Sequence, residues 1–445
     1  MLESQDYELT GVQGWLSRQG PVVFSAWTIA AAFSTYFCMY AFRKPFTAGT
    51  YEGLRAFEGS YWWEMDLKTV LVVSQVFGYT VSKFIGIKFV SEVHARWRAP
   101  AIVGLIGLAE LALVLFALVP IPLKAAMLFL NGLPLGIVFG LVLAFLEGRQ
   151  VTEALTAGLC ASFIFASGVV KSVGRSLVVD YSISEYWMPA ATGLMFVVPL
   201  LISVWLLRQI PPPSKEDVAL RMERVPLNRE QRWSFYWRYG VGLTLLILIF
   251  ITLTIIRSVR DAFAVEIWRD MGESAQPSVY ARSELIVMLL VTALNGTAIW
   301  IKRNRTAFLS SLLLIAVGFG ITLAAVMMQS SGQITPFAFM VLSGIGLYIP
   351  YVAFHTTVFE RLIASTGEPG NLGFLMYVAD STGYLGYVGV LLYKSFAHEA
   401  GNMLNFFLIL SVAISMFSII AVAMSSWYFN RRLADDASVL TMESA

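Results

Sequence analysis

The chain reads as an all-α polytopic membrane protein, with twelve transmembrane helices in two pseudo-symmetric six-helix bundles. Three observations predict this. Of its 445 residues 57% are hydrophobic and only 13% charged, about half the charged share of an ordinary soluble domain. Runs such as "AIVGLIGLAELALVLFALVPIPL" and "FLSSLLLIAVGFGITLAAVMM" reach the roughly 20 apolar residues that cross a hydrocarbon core. Matching landmarks also recur, in the same order, in the two halves.

Spans are expected near 21–44, 67–90, 100–120, 124–147, 155–178, 187–208, 236–259, 278–301, 306–328, 336–361, 371–395 and 402–429. The first closes on "YAFRKPF" after an uncharged run from Pro21. The longest polar stretch, "RQIPPPSKEDVALRMERVPLNREQRWSFYWR", separates the sixth span from the seventh, and its prolines and charges mark a linker. The domain order is then an N-terminal segment (1–20), a bundle (21–208), the linker (209–235), a second bundle (236–430) and a tail (431–445). The N-terminus lacks a basic segment ahead of a short apolar one, so the first span is expected to stay as a helix and serve as the insertion signal. Cys38 and Cys160 lie inside apolar runs and suggest core residues, not a disulfide framework.

Loop cations set the expected orientation. Arg96 and Arg98 follow the second span, and Lys302, Arg303 and Arg305 follow the eighth. The linker carries Lys215, Arg221, Arg224, Arg229 and Arg232, and the tail Arg431 and Arg432. Loops on the opposite side are poor in cations: the third and fourth spans are joined through Lys124 alone. Both termini and the linker are therefore expected to be cytoplasmic, in a bacterial inner membrane.

The halves look duplicated. Arg43-Lys-Pro-Phe46 pairs with Arg260-Asp-Ala-Phe263, Glu147 with Glu360, Gly158 with Gly373, and Gly168 with Gly383. Spans two and eight both end at a glycine, Gly86 and Gly296, followed by a basic loop. Repeats of this kind build transporters with a solute site at the midplane between them.

Ionisable groups inside spans are costly and mark functional candidates. These are Arg43, Lys83, Lys171, Arg257, Arg260, Glu284, His355 and Asp380. Gln75, Tyr79 and Lys83 fall at i, i+4 and i+8 on one helix face, the spacing of a cavity-lining stripe. Lys44 is expected to snorkel to the interface. Asp261, one turn beyond Arg257, can partner it. Glu147, Arg149, Glu360 and Arg361 are expected to form a charge network between the halves at the cytoplasmic side.

Tyr40-x-x-Arg43-Lys44-x-Phe46, Asp66-Leu67 and Tyr79-x-x-Ser82-Lys83-Phe84-Ile85 resemble the organophosphate:phosphate antiporter branch of the major facilitator superfamily. The resemblance continues in Glu284 with "NGTAIWIKRNR", in "GLYIPYVAFHTTVFE" and in "GYLG". It implies the major facilitator fold, a monomer, and a phosphate clasped by one arginine from each half with help from the tyrosine and lysine of the second span. The substrate-binding candidates are thus Arg43, Tyr79, Lys83, Arg257 and Arg260, joined by Tyr40 and Gln75. Asp380, Glu284, His355 and Lys171 are the coupling or gating candidates. Three departures stand out: Pro45 replaces the usual asparagine, the glycine-then-Asp-Arg signature after the second span is absent, and the fifth span has no histidine. Arg257 and Arg260 compete for one role.

The expected function is secondary transport of a small organic anion, such as a phosphorylated metabolite, in exchange for phosphate. Guanidinium groups meet phosphate oxygens bidentately, where lysine offers a point charge. Titration of Asp380, Glu284 or His355 would instead make the chain a proton-coupled symporter of a carboxylate or sugar, and a transporter-like sensor is the alternative of another class. An enzyme is not indicated. His94, His355 and His398 show no metal-ligand spacing, and no nucleophile motif or phosphate loop stands out. No cofactor and no metal are implied. The expected partners are a small anionic solute and the lipid bilayer, not nucleic acid.

Overall fold

The computed structural model describes residues 11–56, 65–146, 152–212, 229–273, 276–366, 372–396 and 402–443. Its long helices are α1 (Pro21–Tyr40), α2 (Leu67–Glu92), α3 (Ala95–Leu118), α4 (Ile121–Leu146), α5 (Thr152–Val179) and α6 (Met188–Arg208) in the first half. The second half has α7 (Arg229–Ala262), α8 (Ser278–Gly296), α9 (Asn304–Ser330), α10 (Pro336–Thr366), α11 (Leu372–Phe396) and α12 (Met403–Glu443). Eleven of these are long and apolar enough to cross a membrane. The twelfth, α11, is a 25-residue helix packed on α7 and α2.

The two halves pack by one rule. In the first, α1 lies against α5 and α6, α2 against α4, and α3 against α4 and α6. In the second, α7 lies against α11 and α12, α8 against α10, and α9 against α10 and α12. Adding six to each number turns one set into the other. The same operation exchanges the two principal contacts between halves, α2 with α11 and α5 with α8. Small residues bring the backbones together, as is common between membrane helices. A side chain added at Gly132 would sit 2.3 Å from the Gln75 carbonyl oxygen, and one at Gly168 would sit 2.5 Å from that of Tyr280, across the boundary between the halves. Exposed aromatics collect at the helix ends: Trp97, Trp237, Trp300 and Trp427 toward the linker face, and Tyr181, Trp187 and Tyr393 toward the other. These are the aromatic girdles of an integral membrane protein.

Some helix ends differ from the expected ones. α1 stops at Tyr40, four residues early, and a buried turn leads into a short 3₁₀ helix, Pro45–Ala48. Pro45 disfavours α geometry in the preceding residue and cannot donate a backbone hydrogen bond. α8 stops at Gly296 and tightens into a 3₁₀ turn, Thr297–Trp300. α7 is already helical from Arg229, inside the expected linker, and bends at Tyr239 (φ −114°, ψ 16°). α12 continues as helix through the expected tail.

Candidate functional site

The turn after α1 is the first piece of the site. A helix C-terminus leaves carbonyls unpaired, and at membrane depth they need protein donors. Gln75 Nε2 of α2 donates to the Arg43 carbonyl at 2.6 Å, and Asn131 Nδ2 of α4 donates to the Phe42 carbonyl at 2.9 Å. Gln75 also donates to Asn131 Oδ1 at 3.2 Å, so the two amides brace each other. The turn is pinned, and the Arg43 guanidinium lies over the Tyr79 ring, 3.7 Å from its centroid, with Tyr40 at 5.7 Å.

The second half supplies a counterpart. The Arg257 guanidinium of α7 lies 4.1 Å from the Tyr351 ring centroid and 5.9 Å from that of Tyr348, both on α10. The Tyr384 hydroxyl of α11 is within hydrogen-bonding reach of both Arg43 and Arg257. Two cations from opposite halves thus meet at one phenol oxygen. Both arginines are buried, and each has an Nε without a hydrogen-bond partner. Among the described residues no carboxylate forms an ion pair with either.

The cations around them are paired. Arg260 is held by Glu284 at 2.8 Å, the Met340 carbonyl at 2.6 Å and the Ser343 hydroxyl at 3.3 Å. Lys44 and Lys171 share Asp261, each at 2.6 Å, and the Ser167 hydroxyl donates to the same carboxylate. Lys68 reaches Glu266 at 2.5 Å and the Thr47 carbonyl at 2.9 Å. Lys83 pairs with Asp380. The Asp261, Glu266 and Asp380 pairs all cross between the halves.

Several expectations are corrected here. Lys44 does not snorkel: it is drawn inward because α1 ends early and Asp261 offers a carboxylate. Asp261 is consequently not the partner of Arg257. Arg257 faces Arg43, whereas Arg260 is committed to Glu284 and α10. Gln75 braces the turn that carries Arg43, its amide donating to the Arg43 carbonyl and to Asn131 Oδ1. His355 sits in a π-helical turn, Phe354–Val358, with Nδ1 2.8 Å from the Tyr351 carbonyl oxygen and its ring 4.3 Å from that of Tyr351. Such bulges recur at functional sites. Arg361 donates to Asn304 of its own half, while Glu147 and Arg149 lie outside the described residues.

Several of the residues met here were not singled out from sequence. Tyr384 and Tyr351 lie within the stretches that carry the family resemblance, and Tyr384 falls four residues after Asp380, on the same helix face. Asn131 carries no charge to flag it. Glu110 of α3 sits mid-span against Gly193 of α6, with both carboxylate oxygens buried and unpartnered.

Comparison with known proteins fits this architecture. The profile of a Family of unknown function (DUF5690) matches residues 45–432, so the chain belongs to that family. No curated protein matches. Among solved structures, a D-xylose–proton symporter is similar at 15% identity and a TM-score of 0.54, over 89% of this chain and 97% of that one. A mutant of the nucleoside transporter NupG is similar at 13% identity and a TM-score of 0.58, over 91% and 99%. The fold is that of the major facilitator superfamily.

Proposed function

We propose that this member of the DUF5690 family is a secondary transporter for a small, multiply charged organic anion. Phosphorylated metabolites are the class that fits best, moved by alternating access between the two bundles. One observation carries the reading: two buried arginines, one from each half, converge, and among the described residues no carboxylate forms an ion pair with either. A phosphate monoester brings nearly two negative charges and three acceptor oxygens at neutral pH. It can match both guanidinium groups in charge and in forked geometry. The resemblance of "YAFRKPF" and "GYTVSKFI" to organophosphate carriers supports the same class.

Transport would follow from bridging. An anion held by Arg43 and Arg257 at once draws the halves together, and rocking of one bundle against the other changes the face from which it is released. The ion pairs at Asp261 and Glu266 would break and re-form as the face away from the linker opens and closes. Asp380, whose Oδ1 has no hydrogen-bond partner, favours a second reading in which protons are carried with the anion.

The test is movement of labelled inorganic phosphate in proteoliposomes, followed by competition with glycerol and sugar phosphates. Saturable movement that disappears in Arg43→Ala and in Arg257→Ala is expected. Folded wild-type protein that neither moves nor binds any of these anions would sink the anion reading. Uptake that follows an imposed pH step would select the proton-coupled version.

A further inference from the structure

Three elements of the central arrangement lie in order along α2. Gln75 holds the Arg43 turn, Tyr79 underlies the Arg43 guanidinium, and Lys83 meets Asp380 of α11. Each is one helical turn, about 6 Å, nearer the linker face than the one before. Lys83–Asp380 is therefore on the linker side of the arginine pair. The Lys44–Asp261–Lys171 and Lys68–Glu266 groups are on the opposite side, near the far ends of α1, α2, α5 and α7. Both layers join the first half to the second. The arginine centre is closed between them.

We infer that Lys83–Asp380 is the linker-side gate, with Asp380 standing in for the substrate anion at Lys83 when the site is empty, so that the unloaded carrier closes and reorients. Net transport then needs no counter-substrate. This rests on the transporter reading of the arginine site.

The argument is electrostatic. Lys83 is buried and faces α11, so closing the halves with its ammonium unpaired would strand a charge away from solvent, which is costly. An exchanger must return loaded when its empty form cannot meet such a cost. Here α11 supplies a carboxylate of its own, and the need for a loaded return is removed. The gate also touches the binding centre. The Lys83 ammonium lies 5.1 Å from the Tyr79 ring centroid and 4.9 Å from that of Tyr384, and the two rings cross edge to face at 5.4 Å. Tyr79 underlies Arg43, and Tyr384 reaches both arginines. An anion entering between the arginines would displace the same two rings that flank Lys83. Among the described residues, Arg43, Arg257 and His355 are the other charged or titratable groups acting on the pair, and none of them supplies Lys83 with an anion.

Spin labels at Arg96→Cys and Lys302→Cys, on exposed linker-face positions of the two halves, would report the gate directly in a Cys38→Ala, Cys160→Ala background without any ligand. Wild type is expected to show a closed population across the linker face. Asp380→Asn and, from the other side, Lys83→Gln should each lose it, as monodisperse protein, and the Lys83→Asp/Asp380→Lys exchange should recover it. A ligand-free Asp380→Asn protein with the wild-type distance distribution overturns the gate. In proteoliposomes, wild type should take up labelled phosphate into phosphate-free vesicles, whereas Asp380→Asn should move it only into preloaded ones. Wild type that exchanges phosphate but never accumulates it overturns the stand-in role. Wild type that moves no phosphate at all removes the substrate reading, and the distance measurement still decides the gate.

Discussion

Arg257 and Arg260 are three residues apart on one helix, and the structure gives their removal opposite consequences. Arg260→Ala would strand Glu284, buried between α8 and α7, and release the Met340 carbonyl. Breaking one side of a buried ion pair costs about 3–5 kcal/mol. Arg257→Ala strands no carboxylate among the described residues, since Arg257 is surrounded by tyrosines, Tyr348, Tyr351 and Tyr384 among them. Its loss should leave stability close to wild type and remove a charge-assisted contact to the anion. Such hydrogen bonds contribute about 1.5–3 kcal/mol, roughly a 10- to 100-fold loss of affinity. Thermal unfolding in detergent, read by tryptophan fluorescence, and equilibrium binding of labelled phosphate separate the two effects. Arg260→Ala should melt well below wild type, while Arg257→Ala should melt with it and bind far more weakly. An Arg257→Ala protein as unstable as Arg260→Ala, or one that binds phosphate like wild type, would refute the assignment of Arg257 to the site.

Tyr384→Phe removes the oxygen that both guanidinium groups share, and phosphate binding should weaken about tenfold or more with the fold intact, by the same binding assay. Gln75→Leu touches no ligand but frees the Arg43 carbonyl and Asn131 Oδ1. A stability loss of about 1–3 kcal/mol should accompany weaker binding, and a variant with full affinity would show that the turn needs no brace. Gly168→Val drives a side chain into the Tyr280 carbonyl and Glu284 Cβ, 2.5 and 2.7 Å from its Cβ, and should hold the face away from the linker open. A single cysteine replacing buried Ser283 should then react faster with a thiol reagent, and an unchanged rate contradicts the wedge. Asp261→Asn leaves Lys44 and Lys171 without their shared carboxylate and should raise the same labelling rate.

The fold was legible because the membrane restricts the options. Backbone groups in hydrocarbon must be paired internally, so twenty-residue apolar runs can only be helices. Boundaries failed where local chemistry overrode hydropathy. Hydropathy carries α1 past Tyr40, but Pro45 ends it, and that stop sets Arg43 over Tyr79 of α2. The candidate site was legible as charges out of place, but not as pairs. Lys44 looks like an interfacial lysine until α7 brings Asp261 to it, and nothing in "RSVRDAF" says that the first arginine faces the centre and the second faces α8 and α10. Those assignments depend on which side of α7 meets which neighbour, a property of the packed bundle. Asn131 and Tyr384, uncharged and inside apolar runs, left no charge signal. Only the helical spacing of Tyr384 from Asp380 hinted at a shared face.

What marks the centre is an asymmetry between kinds of buried charge. Glu110, a carboxylate with both oxygens unpartnered, has an escape open to any carboxylic acid, which is to take up a proton. A lysine has the converse escape. A guanidinium has neither, because it keeps its proton at every pH a protein survives. Arg43 and Arg257 are therefore permanently positive, and tyrosine rings and one phenol oxygen offset only part of their desolvation cost. The remaining cost persists in the empty carrier and is relieved when an anion lies between them. The same cost would be paid by either arginine alone in one half. Placed on opposite halves, the pair makes relief of that cost depend on closure, and this turns a binding site into a translocation step.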